Sequence, residues 1–225
     1  MRPQYSFAFV VVVALFVSSL ITANIAAVKL IAVGPLVMDA GNIIFPVSYL
    51  VGDVLTEVYG YAAARRVIWL GFLCNLLAVV VFSIGRVLPA PEFWEAQAAY
   101  EAILGYTPRL LLASLLAYLV GSFANSYVLA RLKVATEGRW LWTRTISSTI
   151  VGQGLDSTLF VLIAFAGTIP AEALFLTILT NWGFKSAYEA LATPLTYAVV
   201  TRLKRLEGSD PFDRTTNFNP LALAR

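Results

Sequence analysis

The chain has 225 residues, of which 59% are hydrophobic and only 13% charged, whereas soluble domains carry about 45–50% apolar and about 25% charged residues. These proportions exclude a water-soluble monomer, and the net charge of +3 points to orientation in a bilayer rather than to nucleic acid, because the basic residues cluster beside apolar runs. The chain lacks histidine, and its one cysteine, Cys74, lies inside an apolar run. His-based metal sites, Ser/His or Cys/His catalysis and internal disulfides are thereby excluded as well.

An apolar run of about 20 residues crosses a hydrocarbon core about 30 Å thick as a helix, and six such spans are predicted. The first covers residues 5–28 and begins like a secretory signal, but the run is longer than a signal-peptide core and is read as a retained span. The second, 43–61, is less apolar and contains Pro46, Gly52, Asp53 and Glu57. The third covers 67–88, the fourth 110–129 and the fifth 146–165. The sixth, 171–200, is interrupted by Asn181, Gly183, Lys185, Glu189 and Pro194, which predicts a tilted, kinked or broken helix.

The basic residues test this count. Arg2, Arg65, Arg66, Arg131, Lys133, Arg139, Arg144, Arg202, Lys204, Arg205, Arg214 and Arg225, which are 12 of the 16, fall on one side. The other side has Lys29, Arg86 and Arg109, diluted by Asp39, Glu92, Glu95, Glu101 and Glu172. The positive-inside rule then predicts six spans with both termini cytoplasmic. Residues 1–205 form an all-α transmembrane domain and 206–225 a cytoplasmic tail. Residues 48–55 and 148–155 share four of eight positions (Ser48/Ser148, Val51/Val151, Gly52/Gly152, Leu55/Leu155) at an offset of 100. That offset maps span two onto span five, the relation expected of two inverted three-helix halves, although chance among common membrane residues explains so few identities equally well.

An ionised side chain at mid-membrane costs about 2.5–3.5 kcal/mol on insertion scales, so it faces protein or a water-filled cavity. Asp53 and Glu57 stand four apart, on one helical face, where two carboxylates repel unless one binds a proton or both face donors. Gln153, Asp156 and Ser157 interrupt an otherwise apolar span five. Lys185 and Glu189, also four apart, form either an intrahelical ion pair or separate contacts, with Lys185 answering Asp156 or Glu57 across the bundle. Asn24, Asn75 and Asn125 either line the same cavity or bond helix to helix. The expected substrate-binding set is Asp53, Glu57, Asn75, Asn125, Gln153, Asp156, Ser157, Lys185 and Glu189. No phosphate loop, zinc-protease or nucleophile-elbow motif occurs. No catalytic residue, metal or cofactor is expected.

The segment Gly52-Asp-Val-Leu-Thr-Glu57-Val-Tyr-Gly60-Tyr61 with Ala64-Arg65, the segment Arg144-Thr-Ile-Ser-Ser-Thr-Ile-Val-Gly152-Gln153-Gly-Leu-Asp156-Ser157, and Lys185-Ser-Ala-Tyr-Glu189-Ala-Leu-Ala-Thr-Pro194-Leu-Thr-Tyr197 resemble three motifs of the queuosine precursor transporter family, also called the YhhQ or vitamin uptake transporter family. The tail from Asp213 to Pro220 is also similar to family members. The resemblance implies a multi-pass protein of the cell inner membrane that imports a 7-deazaguanine, with the bilayer and this small molecule as its partners. Energy would come from a coupling proton or from a separate ATPase module to which the chain is the substrate-binding subunit. The third alternative, from a different class, is an intramembrane enzyme.

Overall fold

The computed structural model describes residues 6–33, 36–105 and 108–222; Arg2, Tyr5 and Arg225 lie outside them. Seven α-helices are described: α1 Phe7–Ala26, α2 Phe45–Tyr59, α3 Tyr61–Val87, α4 Gln97–Leu104, α5 Pro108–Ala135, α6 Leu141–Phe165 and α7 Ala171–Glu207. A short antiparallel hairpin, β1 Leu30–Val33 with β2 Leu36–Asp39, and a 3-10 turn at Ala40–Ile43 join α1 to α2. The hairpin and α4 depart from the expectation of spans and loops alone.

Each long helix ends where its sequence stops supporting it. Ser6 caps α1 by accepting the Phe9 N–H. Gly60, at φ 81°, lets the chain turn sharply from α2 into α3. Gly208, at φ 60°, terminates α7 after Lys204 and Arg205, cations suited to a helix C-terminus. Helix α7 is continuous through Pro194, so the sixth segment is one long helix and not a broken one. Helix α6 starts at Leu141, which puts Arg144 inside the helix rather than in the loop before it.

Four helical segments are long and apolar enough to cross a membrane: α1, α3, the stretch Gln97–Ala135 that contains α5, and α6. The chain is a multi-pass membrane protein. Helices α2 and α7 do not meet that measure, for different reasons. The 15 residues of α2 extend only about 22 Å, and its middle is buried on every side, so it needs no lipid-compatible surface. Helix α7 carries Lys185, Glu189 and a basic last turn.

Polarity is inverted relative to a soluble protein. Leu70, Leu73, Leu77, Val80, Val81 and Ile84 form an exposed stripe along α3, while Asp53, Glu57, Arg65, Lys133, Arg144, Asp156 and Glu189 are buried. Only a lipid surround makes such a surface tolerable. Helix α2 divides the interior. Its Val51, Val54, Leu55 and Val58 pack with Phe16 and Leu20 of α1 and Val67 and Ile68 of α3, and its opposite face is polar.

The helices run alternately up and down. The start of α1, the end of α2 and the end of α7 meet where Ser6 and Tyr59 both donate to Glu207, and the end of α5 and start of α6 join them through Glu57. At the opposite end Arg109, at the start of α5, donates to the Ile163 and Ala166 carbonyls that close α6. Between these ends α5 and α6 touch backbone to backbone. A β-carbon on Gly152 would sit 2.8 Å from Asn125 Cβ and 2.9 Å from the Gly121 carbonyl oxygen, so only glycine permits this approach.

The segment after α7 lies across the face where α2 and α3 meet. Asp213 accepts the Tyr61 N–H at 3.0 Å, Arg65 donates to the Asn217 and Asn219 carbonyls at 2.7 and 2.9 Å, and Trp69 donates to the Pro220 carbonyl at 2.9 Å. Phe218 packs its ring against Tyr61 and Tyr127.

Candidate functional site

Every fourth residue of α2, namely Phe45, Tyr49, Asp53 and Glu57, falls on the helix face turned toward α5, α6 and α7, because a 3.6-residue turn nearly repeats at four. This face is a polar track with three levels. The charged residues expected to share one cavity are divided among them.

The uppermost level is a cavity of about 130 Å³ walled by α1, the 3-10 turn, α2, α3, α5, α6 and α7. Asp156 and Lys185 face it, and the Lys185 ammonium lies 2.9 Å from Asp156 Oδ2. Lys185 therefore answers Asp156 on α6, not Glu189 on its own helix. The ammonium also stands 4.0 Å from the centre of the Phe45 ring, a cation–π arrangement. The ring of Phe160 and the side chains of Asn24, Asn42, Asn75 and Tyr118 complete the polar and aromatic lining. Asn75 accepts from Asn24 at 2.6 Å and donates to the Gly71 carbonyl at 2.9 Å. Its amide is thus committed to holding α1 against α3.

One turn down, the Asp53 carboxyl group interacts electrostatically with that of Glu189 on α7. Asn125 of α5 donates to Asp53 Oδ1 at 2.7 Å. Asp53 Oδ2, Glu189 Oε1, Asn125 Oδ1 and Gln153 Oε1 are all buried without a hydrogen-bond partner, as are the Tyr49 and Ser157 hydroxyls. None of Asp53, Asn125, Gln153, Ser157 and Glu189 lines the cavity.

At the lowest level Glu57, fully buried, meets three cations. Lys204 Nζ lies 2.6 Å, Arg144 Nη2 2.8 Å and Lys133 Nζ 3.5 Å from its Oε1, and Lys133 also donates to the Glu57 carbonyl at 2.7 Å. Asp210, beyond α7, closes the network at 2.6 Å from Lys133 and 2.8 Å from Lys204. Partial burial raises the Asp210 carboxyl, but the hydrogen bonds from the two lysines outweigh it and hold the group below its ordinary range. Glu57 thus stands two turns from Tyr49 in a separate ionic cluster.

Sequence reasoning counted Arg144, Lys133 and Lys204 only as orienting charges and did not single out Asp210. Arg144 sits in a quoted motif, eight and twelve residues before Gly152 and Asp156, and this helical spacing is the one signal that places it on an inward face.

The chain matches the protein family described as "Putative vitamin uptake transporter" over residues 39–199. It is 33% identical over 180 residues to the "Probable queuosine precursor transporter" of Bacillus subtilis (strain 168), covering 79% of this chain and 78% of that one. It is 29% identical over 125 residues to the "Queuosine precursor transporter" of Escherichia coli (strain K12), covering 56% and 54%. No solved structure matches it. Because the family match spans all three levels of the polar track, from α2 into α7, and the B. subtilis relative aligns over most of both chains, the chain belongs to the queuosine precursor transporter, or vitamin uptake transporter, family.

Proposed function

We propose that the protein imports a queuosine precursor of the 7-deazaguanine class across the cell inner membrane. The observation that carries this reading is the Asp156–Lys185 pair on the wall of an amide- and aromatic-lined cavity. A guanine-like edge presents an N–H and an amino group beside a carbonyl oxygen. Asp156 accepts from the first two, and Lys185 donates to the third. The pair is neutral in sum, as suits the uncharged heterocycle common to the class, and Phe45 and Phe160 offer flat faces against which a bicyclic ring stacks. The names of the two relatives support the same substrate class.

Calorimetric titration of the purified protein with 7-cyano-7-deazaguanine, its aminomethyl counterpart, guanine and adenine tests the reading. Both deazaguanines should bind, and adenine, whose edge lacks the N–H and carbonyl, should not. Absence of deazaguanine binding to folded protein would refute it.

The topology we propose is six spans, α1, α2, α3, α5, α6 and α7, with both termini cytoplasmic and residues 206–225 as a cytoplasmic tail. The meeting of Ser6, Tyr59, Lys133, Arg144 and Lys204 at one end supports the alternation, and the basic residues cluster at that end. Ser48 and Ser148, equivalent in the proposed inverted halves, donate alike to the carbonyl three residues before each. Reporter fusions after Leu88 and Gly167 should read as external and one after Lys133 as cytoplasmic. An external reading after Lys133 would overturn the orientation.

A further inference from the structure

The middle level of the track, which the substrate reading leaves unused, holds two buried carboxyl groups. Asp53 on α2 and Glu189 on α7 place two carboxyl groups, both nearly inaccessible to solvent, within electrostatic reach of each other. Among the described residues, no cation is ion-paired with either. Lys185, one turn above Glu189, is bonded to Asp156, and Arg144 and Lys204 below are bonded to Glu57. Tyr49 on α2 interacts with both carboxyl groups, and Glu57 on α2 and Asn125 on α5 interact with Asp53. Asn125 supplies the one hydrogen bond, and that bond orients its amide so that Oδ1 is left buried and unpartnered. Asp53 Oδ2, Glu189 Oε1 and Gln153 Oε1 are likewise unpartnered, so each carboxyl group keeps a buried oxygen that no hydrogen bond satisfies.

Two ionised carboxylates in such a place repel strongly and leave buried acceptors unsatisfied. A single proton removes both penalties. It converts one carboxylate oxygen into a donor to its neighbour and leaves one negative charge where there were two.

Resting on the transport reading above, we propose that Asp53 and Glu189 form a proton-binding pair that couples substrate movement to proton flow. The pair holds one proton between its carboxyl oxygens in this conformation. When the bundle opens the pair to water, the carboxyl O–H bond breaks, the proton passes to water as hydronium, and two carboxylates remain. The Tyr49 hydroxyl, buried without a hydrogen-bond partner, interacts electrostatically with Asp53, Glu189 and Asp156 alike. Loss of the proton is thus felt at the substrate carboxylate.

Infrared difference spectroscopy of the purified wild-type protein reads the proton directly and needs no substrate. A carboxylic-acid C=O stretch should be present at neutral pH, shift on transfer to deuterium oxide, and disappear in Glu189→Gln and in Asp53→Asn, since a lone remaining carboxylate carries the same single charge as the pair. Its absence from the wild type, or its persistence in both variants, would overturn the proposal.

Proteoliposomes then test coupling. An imposed pH gradient should drive accumulation of labelled 7-cyano-7-deazaguanine by wild type. Glu189→Gln should reduce that accumulation about tenfold more than it reduces substrate exchange at equal pH. Accumulation that follows a sodium gradient instead, exchange without any accumulation in the wild type, or equal losses of both in the variant would refute coupling through this pair. If no deazaguanine exchanges at all, the substrate reading fails, and the infrared band still decides the proton pair.

Discussion

Replacing Glu57 with leucine is expected to prevent the protein from folding stably. The carboxylate lies within reach of Lys204, Arg144 and Lys133, drawn from three different helices. Without it Arg144, nearly inaccessible to solvent, keeps only the Arg139 carbonyl, and the equally buried Lys133 keeps only Asp210 and a main-chain carbonyl. Removing one partner of a buried ionic network costs about 3–5 kcal/mol, against a total stability of about 5–15 kcal/mol for a typical domain. Gel-filtration and thermal unfolding in detergent should show aggregation or a markedly lower midpoint. The double variant Glu57→Leu/Arg144→Leu should recover part of the loss, because apolar groups of similar size replace a buried pair at little cost. Wild-type stability in the single variant would mean that the cluster contributes nothing to the fold.

Asp156→Asn is expected to act on binding rather than folding. Lys185 borders the cavity and keeps some access to water, so it tolerates the loss of its partner better than the cations around Glu57 do. The substitution preserves shape, but it removes a charged acceptor and turns an N–H toward the substrate's N–H. Hydrogen bonds to charged groups contribute about 1.5–3 kcal/mol, which predicts a loss of affinity of roughly 10- to 150-fold. Titration of folded Asp156→Asn protein with 7-cyano-7-deazaguanine measures it, and unchanged affinity would exclude the assigned role.

The two substitutions also mark what was legible in the sequence. The apolar runs of α1, α3, α5 and α6 announce themselves, since each must present a lipid face. Helix α2 is surrounded by protein and its polar face is a succession of i, i+4 residues, so Asp53 and Glu57 were recognisable as sharing a face but not as belonging to different levels. The pairing of Lys185 was harder. Spacing of four favours Glu189, yet tertiary packing brings Asp156 closer, from 29 residues away. Arg144, Lys133 and Lys204 illustrate the deepest ambiguity: a cation at a helix end orients a span whether it reaches into headgroups or into protein, and composition carries no trace of the difference. The hairpin at Leu30–Asp39 was read as a connection because four-residue strands leave too short a pattern to register.

The docked tail has a consequence for biogenesis. Arg65 finds its acceptors 152 and 154 residues later, and Lys133 meets Asp210 after 77. At about 5–20 residues per second a ribosome needs roughly 8–30 s to travel from Arg65 to Asn217. Throughout that interval the guanidinium lacks its native carbonyl acceptors, and the end of the bundle that gathers Glu57 and its cations stands open. Helices α1 to α3 are thus complete well before their shared end is sealed. The closing event is the arrival of a short polar strand from solution, not the insertion of a helix. Quality control that inspects this surface would distinguish finished from unfinished chains by whether the strand is in place.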